Sequence, residues 1–152
     1  MRTIGLRAKP DAITFVIFDS DEARIINIET MKIPKALSNP ESLKYVRTNI
    51  LDILREYSID KAGIRIMESN AKQRNIPRVQ IEGVIQETFA SSSLEKYFCG
   101  QISSISKLIN IEREDFKKYV NGVNTYDAIE NWVDLNTEEK EACFTAIGAA
   151  NA

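Results

Sequence analysis

The sequence contains no histidine. Ser-His-Asp triads, Cys-His dyads, histidine-ligated zinc and histidine general bases are therefore excluded, since each needs an imidazole. Any chemistry must run on carboxylates, Lys, Arg, Tyr, Ser or the backbone. Cysteine is nearly as scarce. Cys99 and Cys143 are the only two, far apart and without a CxxC spacing. They cannot form a four-ligand zinc site, and in a reducing compartment they are expected as small buried hydrophobes. No GxGxxG or P-loop pattern occurs, which removes the usual dinucleotide and triphosphate cradles. No apolar run reaches the roughly 18 residues that span a bilayer. The N-terminal residues alternate charge with apolar side chains and lack the apolar centre of a signal peptide. The expectation is a soluble, cytoplasmic protein with no membrane partner.

What remains is ordinary globular composition. In 152 residues, 43% are hydrophobic and 28% charged, which predicts one domain over residues 1–152. Lys plus Arg is 20 and Asp plus Glu 22, so the net charge of −2 lacks the basic excess of a nonspecific DNA coater. The charge is unevenly placed. Residues 61–80 carry Lys61, Arg65, Lys72, Arg74 and Arg78 against Glu68 alone. Residues 126–152 carry Asp127, Glu130, Asp134, Glu138, Glu139 and Glu141 against Lys140 alone. Such segments coat solvated faces, meet different partners, or meet each other.

Residues 2–8 read as a strand, and Lys9-Pro10-Asp11 as a turn. The β-branched and aromatic run 12–19 is a second strand, and 23–33, with Ile25, Ile26, Ile28 and Ile33, returns as a third. The period then changes. Ser38-Asn39-Pro40-Glu41 caps a helix in which Leu43, Val46, Ile50, Ile53 and Leu54 recur at helical spacing. Residues 61–67 form a strand that ends at Glu68. A helix past Pro77 presents Val79, Ile81, Val84, Ile85, Thr88 and Phe89. A strand over 95–103 precedes short helices near 104–109 and 112–120. A final helix, capped by Asn136, carries Ala142, Cys143, Ala146, Ile147 and Ala150 as its packed stripe. Phe15, Phe18, Phe89, Phe98, Phe116 and Trp132 mostly fall on core positions, although Asn131-Trp132 also suits an exposed anchor. They do not form the interleaved basic-aromatic surface of single-strand binders. The expected architecture is α/β: a five-stranded mixed sheet, three antiparallel strands and then two parallel ones added by right-handed crossovers, flanked by helices.

This order of elements resembles the ribonuclease H-like fold, and within it the RuvC-like Holliday-junction resolvases. It is also similar to a family of small uncharacterised bacterial proteins on the same fold. The resemblance spans nearly the whole chain. It implies an Asp at the end of the first strand, a Glu at the end of the fourth, and acids near the start of the last helix. Together these hold two magnesium or manganese ions that cleave a phosphodiester. Glu68, in Gly-Ile-Arg-Ile-Met-Glu, matches the second position. Glu138 and Glu141, three apart on one helix face, match the last. The first position departs from the pattern: in Ile-Gly-Leu-Arg-Ala-Lys-Pro-Asp the residue is Arg7. Asp11 lies past the turn and Asp19 ends the next strand.

Arg7 is the decisive residue. A guanidinium is always charged. Held about 4 Å from a divalent ion, it meets a repulsion of roughly 8 kcal/mol at an effective dielectric of 20. Arg7 is therefore expected to take the metal position and pair with Glu68 or Glu141, or else to bind phosphate. Glu68 also suits an ordinary loop start, and Glu138 and Glu141 also suit the helix macrodipole. Lys72, Arg74 and Arg78, directly after Glu68, are expected to contact nucleic-acid phosphates, although they equally suit a protein partner or pairing with the acidic C-terminal segment. The favoured function is a degenerate RuvC-like domain that binds nucleic acid or protein and needs no cofactor. The runner-up is an active magnesium- or manganese-dependent nuclease using Glu68, Glu138 and Glu141 as catalytic and metal-binding residues, with Asp11 or Asp19 recruited. A third is a protein-binding subunit of a larger assembly. The resolvase resemblance also implies a homodimer.

Overall fold

The chain, as a computed structural model, is described over residues 1–152. Its strands are β1 (Arg2–Ala8), β2 (Ala12–Asp19), β3 (Arg24–Lys32), β4 (Lys61–Arg65) and β5 (Lys96–Gly100). Its helices are α1 (Asn39–Glu56), α2 (Ile76–Ala90), α3 (Ile102–Leu108), α4 (Arg113–Val120) and α5 (Thr137–Asn151), with a single 3-10 turn at Trp132–Asp134. The sheet order is β3-β2-β1-β4-β5. β1 pairs antiparallel with β2 and parallel with β4, and β4 pairs parallel with β5. This is the expected mixed sheet. No helix is long and apolar enough to cross a membrane.

Strand alternation sorts each strand into two faces. Ile4, Leu6 and Ala8 of β1 join Ile13, Phe15 and Ile17 of β2 and Ala62 and Ile64 of β4 in one core. Val46, Ile50 and Leu54 of α1 and Ile81, Ile85 and Phe89 of α2 close it. A capping box fixes the start of α1: Glu41 N–H donates to Ser38 Oγ, and the Glu41 carboxylate accepts from Ser38 N–H. The opposite face of β1 carries Thr3, Gly5 and Arg7, and α5 lies across it. Thr3 Oγ1 donates to the Ala146 carbonyl at 2.7 Å. A Cβ on Gly5 would stand 2.0 Å from the Ala142 carbonyl oxygen and 2.3 Å from Ala146 N. Only glycine leaves room for the α5 backbone at that point.

Beyond α5 lies a third layer. Phe144 is fully buried and packs on Trp132, with ring centroids 4.8 Å apart, and on Tyr126 at 4.9 Å. Trp132 Nε1–H donates to the Tyr119 carbonyl at 3.2 Å. α5 is thus enclosed by the sheet on one side and by α3, α4 and this aromatic cluster on the other. Its sequence therefore carries no single apolar stripe, and Phe144 is a core residue off the expected one.

Several boundaries and exposures differ from the sequence expectation. β4 ends at Arg65, not Met67, because the ladder stops there. Ile66 N–H still donates to the Gly100 carbonyl at 3.0 Å. Met67 N–H turns away to the Glu82 carboxylate at 3.1 Å. β5 is shorter than expected, since Ile102 already starts α3. Val79, expected on the apolar face of α2, is 41% exposed, and Glu82, which accepts from Met67 N–H, is buried instead. Phe98 is half-buried and Cys99 exposed, because β5 is an edge strand. Only Cys143 is the buried hydrophobe expected of both cysteines.

Gly5→Ala is expected to destabilise the fold by about 3 kcal/mol, at the upper end of overpacking costs, because the clash is with backbone that cannot yield. Urea unfolding measures this. In the folded protein a thiol reagent should modify Cys99 and spare Cys143, and in urea it should modify both. Burial pushes the Cys143 thiol up from 9.0 to about 12. A raised acid favours the fold while protonated, so stability should fall as pH rises from about 9 towards 12.

Candidate functional site

The last row of the sheet on the α5 face runs Thr30, Thr14, Arg7, Arg65 and Gly100, each directly opposite the next. Arg7 and Arg65 are therefore side by side, at the carboxyl ends of two parallel strands. Two guanidiniums in register repel unless acids separate them. α5 and the β4–α2 loop supply those acids. Arg7 Nε–H donates to Glu141 Oε2, a pair whose side chains are 16% and 10% exposed. Arg65 Nη1 lies 3.4 Å from Glu68 Oε2. The same Glu68 oxygen accepts from Ile102 N–H at 3.2 Å, and its other oxygen lies 3.9 Å from Arg113 Nη2. Glu68 thus joins β4, α3 and α4.

The network extends into α2. Arg78 Nε–H donates to Glu82 at 2.8 Å, and both carboxylate oxygens of Glu82 accept from Met67 N–H, at 3.1 and 3.2 Å. Glu82 is 4% exposed and pins the loop that carries Glu68. Burial lowers the Arg65 guanidinium from its usual range; the carboxylates of Glu141 and Glu68 oppose this, and the neighbouring Arg7 charge adds to it. Burial, then the charge of Arg7, lowers Arg78 in the same way, against Glu82.

Of the residues singled out from sequence, Arg7 and Glu141 meet directly, and Glu68 stands beside them through Arg65. Glu138 stands apart, on the rim, with Lys9 Nζ at 3.8 Å. Asp19 lies opposite Arg2, at the other end of β1. It accepts from Asp21 N–H and Glu22 N–H, which hold its carboxyl below the usual range, with Glu22 the larger effect. Asp11 is exposed in its turn. Lys72 and Arg74 are exposed, whereas Arg78 is engaged with Glu82. Arg65, Glu82 and Arg113 were not read from sequence as site residues. Arg65 had a signal: strand alternation from Gly63 places it on the α5 face. Glu82 had none, since a Glu on a surface helix reads as solvated.

The resemblance implies two divalent cations at this edge, and the residues present do not fit them. No group of three or more acidic or cysteine side chains converges. Glu141 and Glu68 are each held by a guanidinium. A divalent ion sharing Glu141 would compete with the Arg7 guanidinium, which already holds that carboxylate.

No family model matches the chain, and no curated protein matches it by sequence. Solved structures do match in shape. Thermus thermophilus RuvC, in complex with a Holliday junction substrate, superposes with a TM-score of 0.73 at 10% identity, covering 99% of this chain and 94% of that one. A second Thermus thermophilus RuvC structure gives 0.72 at 10% identity, with the same coverage of 99% and 94%. The Fowlpox virus resolvase, in complex with Holliday junction DNA, gives 0.51 at 15% identity, covering 99% and 97%. The chain has a RuvC-like, ribonuclease H-like fold.

Arg7→Met leaves Glu141 buried without its partner. It is expected to cost about 3 kcal/mol, the low end for breaking a buried pair given the partial exposure. Arg7→Met/Glu141→Leu should recover most of that loss. Equal destabilisation of the single and double variants in urea would rule the pair out as a unit.

Proposed function

We propose that the chain is a RuvC-like interaction domain that binds nucleic acid and lacks two-metal phosphodiester cleavage. The observation that carries this is the Arg7–Glu141 pair. It puts a fixed positive charge at the carboxyl end of β1, against the carboxylate a metal would need. Binding draws support from the surface beside it. Lys72 and Arg74 are exposed on the loop that follows Glu68, and Arg113 and Lys117 are exposed on α4. Arg113 and Lys117 line a pocket with Glu68 and Glu114, and Lys72 and Arg74 follow Glu68 on its loop; exposed basic side chains of this kind suit phosphate contacts. The matching Thermus RuvC and Fowlpox virus resolvase were each solved with a Holliday junction, which favours a branched duplex as the first ligand to try.

A protein partner is the second reading. Ile76, 67% exposed, and Val79, 41% exposed, stand on the same rim as Lys72 and Arg74, and apolar side chains of this kind suit a protein contact.

Labelled four-way junction, duplex DNA, single-stranded DNA and RNA should be incubated with the protein in magnesium or manganese and in EDTA. Binding and cleavage are read on the same samples, and Glu68→Gln controls for contaminating nuclease. Binding without cleavage is expected, with a shallower salt dependence in Lys72→Ala/Arg74→Ala. Metal-dependent cleavage that disappears in Glu68→Gln would overturn the proposal. Absence of binding even at low salt would transfer support to the protein partner.

A further inference from the structure

The arginine network holds more donors than the protein satisfies. Arg65 is 5% exposed, yet its Nε–H has no acceptor, and Arg78 Nη2 is also buried without one. Arg7 spends Nε on Glu141 and Nη1 on the Ala8 carbonyl, and Arg65 spends Nη1 on the Ile66 carbonyl and Glu68. The Nη2 groups of Arg7 and Arg65 make no hydrogen bond within the protein, and neither is among the buried unpartnered atoms. Both therefore retain contact with solvent, on residues that are register partners at the end of the sheet. Charge points the same way. Arg7, Arg65, Arg78 and Arg113 face Glu68, Glu82 and Glu141, which leaves the positive side in excess. An unpartnered buried donor is costly, and more so when it belongs to a charged group. An oxyanion at this edge would supply acceptors to the two solvent-contacting Nη2 groups and balance the charge.

We infer that Arg7 and Arg65 form a metal-independent oxyanion site that receives a phosphate group, with their Nη2 amino groups as donors. Arg7 and Arg65 are register partners on adjacent strands, and the oxygens of a tetrahedral phosphate can accept from two guanidiniums at once. The positive charge is built into the chain, so no divalent ion has to bridge phosphate and carboxylates. Glu141 and Glu68 then orient the guanidiniums. As a site for a backbone phosphodiester, this rests on the nucleic-acid reading above. As a site for free phosphate it does not, and the two sources are separable.

The test uses the full chain in EDTA at low ionic strength. Inorganic phosphate is titrated against thermal unfolding, with chloride at matched ionic strength as control. Duplex and four-way-junction DNA are titrated by fluorescence anisotropy, with and without magnesium. Arg65→Lys keeps the charge facing Glu68 and removes the second amino donor. Arg7→Gln/Glu141→Gln replaces the ion pair by a neutral hydrogen-bonded one, so that no buried charge is stranded. Phosphate should raise the unfolding temperature of the wild type beyond chloride, and each variant should need about tenfold more phosphate for the same rise. DNA binding should be indifferent to EDTA and fall about tenfold in each variant, the effect of one charge-assisted hydrogen bond. Phosphate stabilisation without DNA binding would uphold the site for free phosphate and overturn the nucleic-acid reading. DNA binding that both variants retain undiminished would overturn the site for a backbone phosphodiester and leave that reading standing. Binding only with magnesium, or no response to either ligand, would also overturn the site.

Discussion

The close approach of α5 to β1 governs the rest of the molecule. Helix and sheet normally stand apart by the depth of their side chains, but over Gly5 the α5 backbone occupies the space a Cβ would need. Ala142 and Ala146 make the matching small surface on the helix. The contact sets the height of α5 above the sheet, and so places Glu141, one residue before Ala142, within reach of Arg7. It also leaves the far side of α5 uncovered by the sheet. The aromatic cluster of Tyr119, Tyr126, Trp132 and Phe144 closes that side.

The charged edge follows from the same geometry. Register makes Arg7 and Arg65 neighbours, and their mutual repulsion has to be offset locally. The fold does so with one acid from a helix and one from a loop, each delivered by an element that is itself pinned: α5 by its glycine contact, the loop by Glu82. Ion pairs this enclosed add little to stability when intact and cost much when broken. Their contribution is to fix where the charge sits.

Much of this was legible in the sequence. The β-branched runs, the Lys9-Pro10-Asp11 turn and the capping residues before α1 and α5 identify elements whose local chemistry and tertiary role agree. Arg7 and Glu141 stand out through the resemblance to the RuvC-like resolvases, which implies an acid at the end of the first strand, where Arg7 sits, and acids near the start of the last helix, where Glu141 matches. Arg65 was obscured by a segment rich in positive charge, where an inward side chain looks like its exposed neighbours. Glu82 and Phe144 were obscured because their helices meet partners on more than one side, so a single apolar face misdescribes them. Cys99 departs from the expectation of burial because edge or central position in a sheet depends on strand order, which composition does not reveal.

The sandwiching of α5 bears on how the chain folds. The Thr3–Ala146 hydrogen bond joins residues 143 positions apart, and α5 lies between the sheet and the outer aromatic layer. Strands β1 to β3 can associate through short turns, but their α5 face has no cover until the C-terminal helix arrives. Such long-range closure slows folding and prolongs the exposure of apolar surface. Until then the two guanidiniums also lack Glu141. A chain with α5 undocked would expose both the apolar sheet face and the uncompensated Arg7 charge, and docking of the helix covers both in one event.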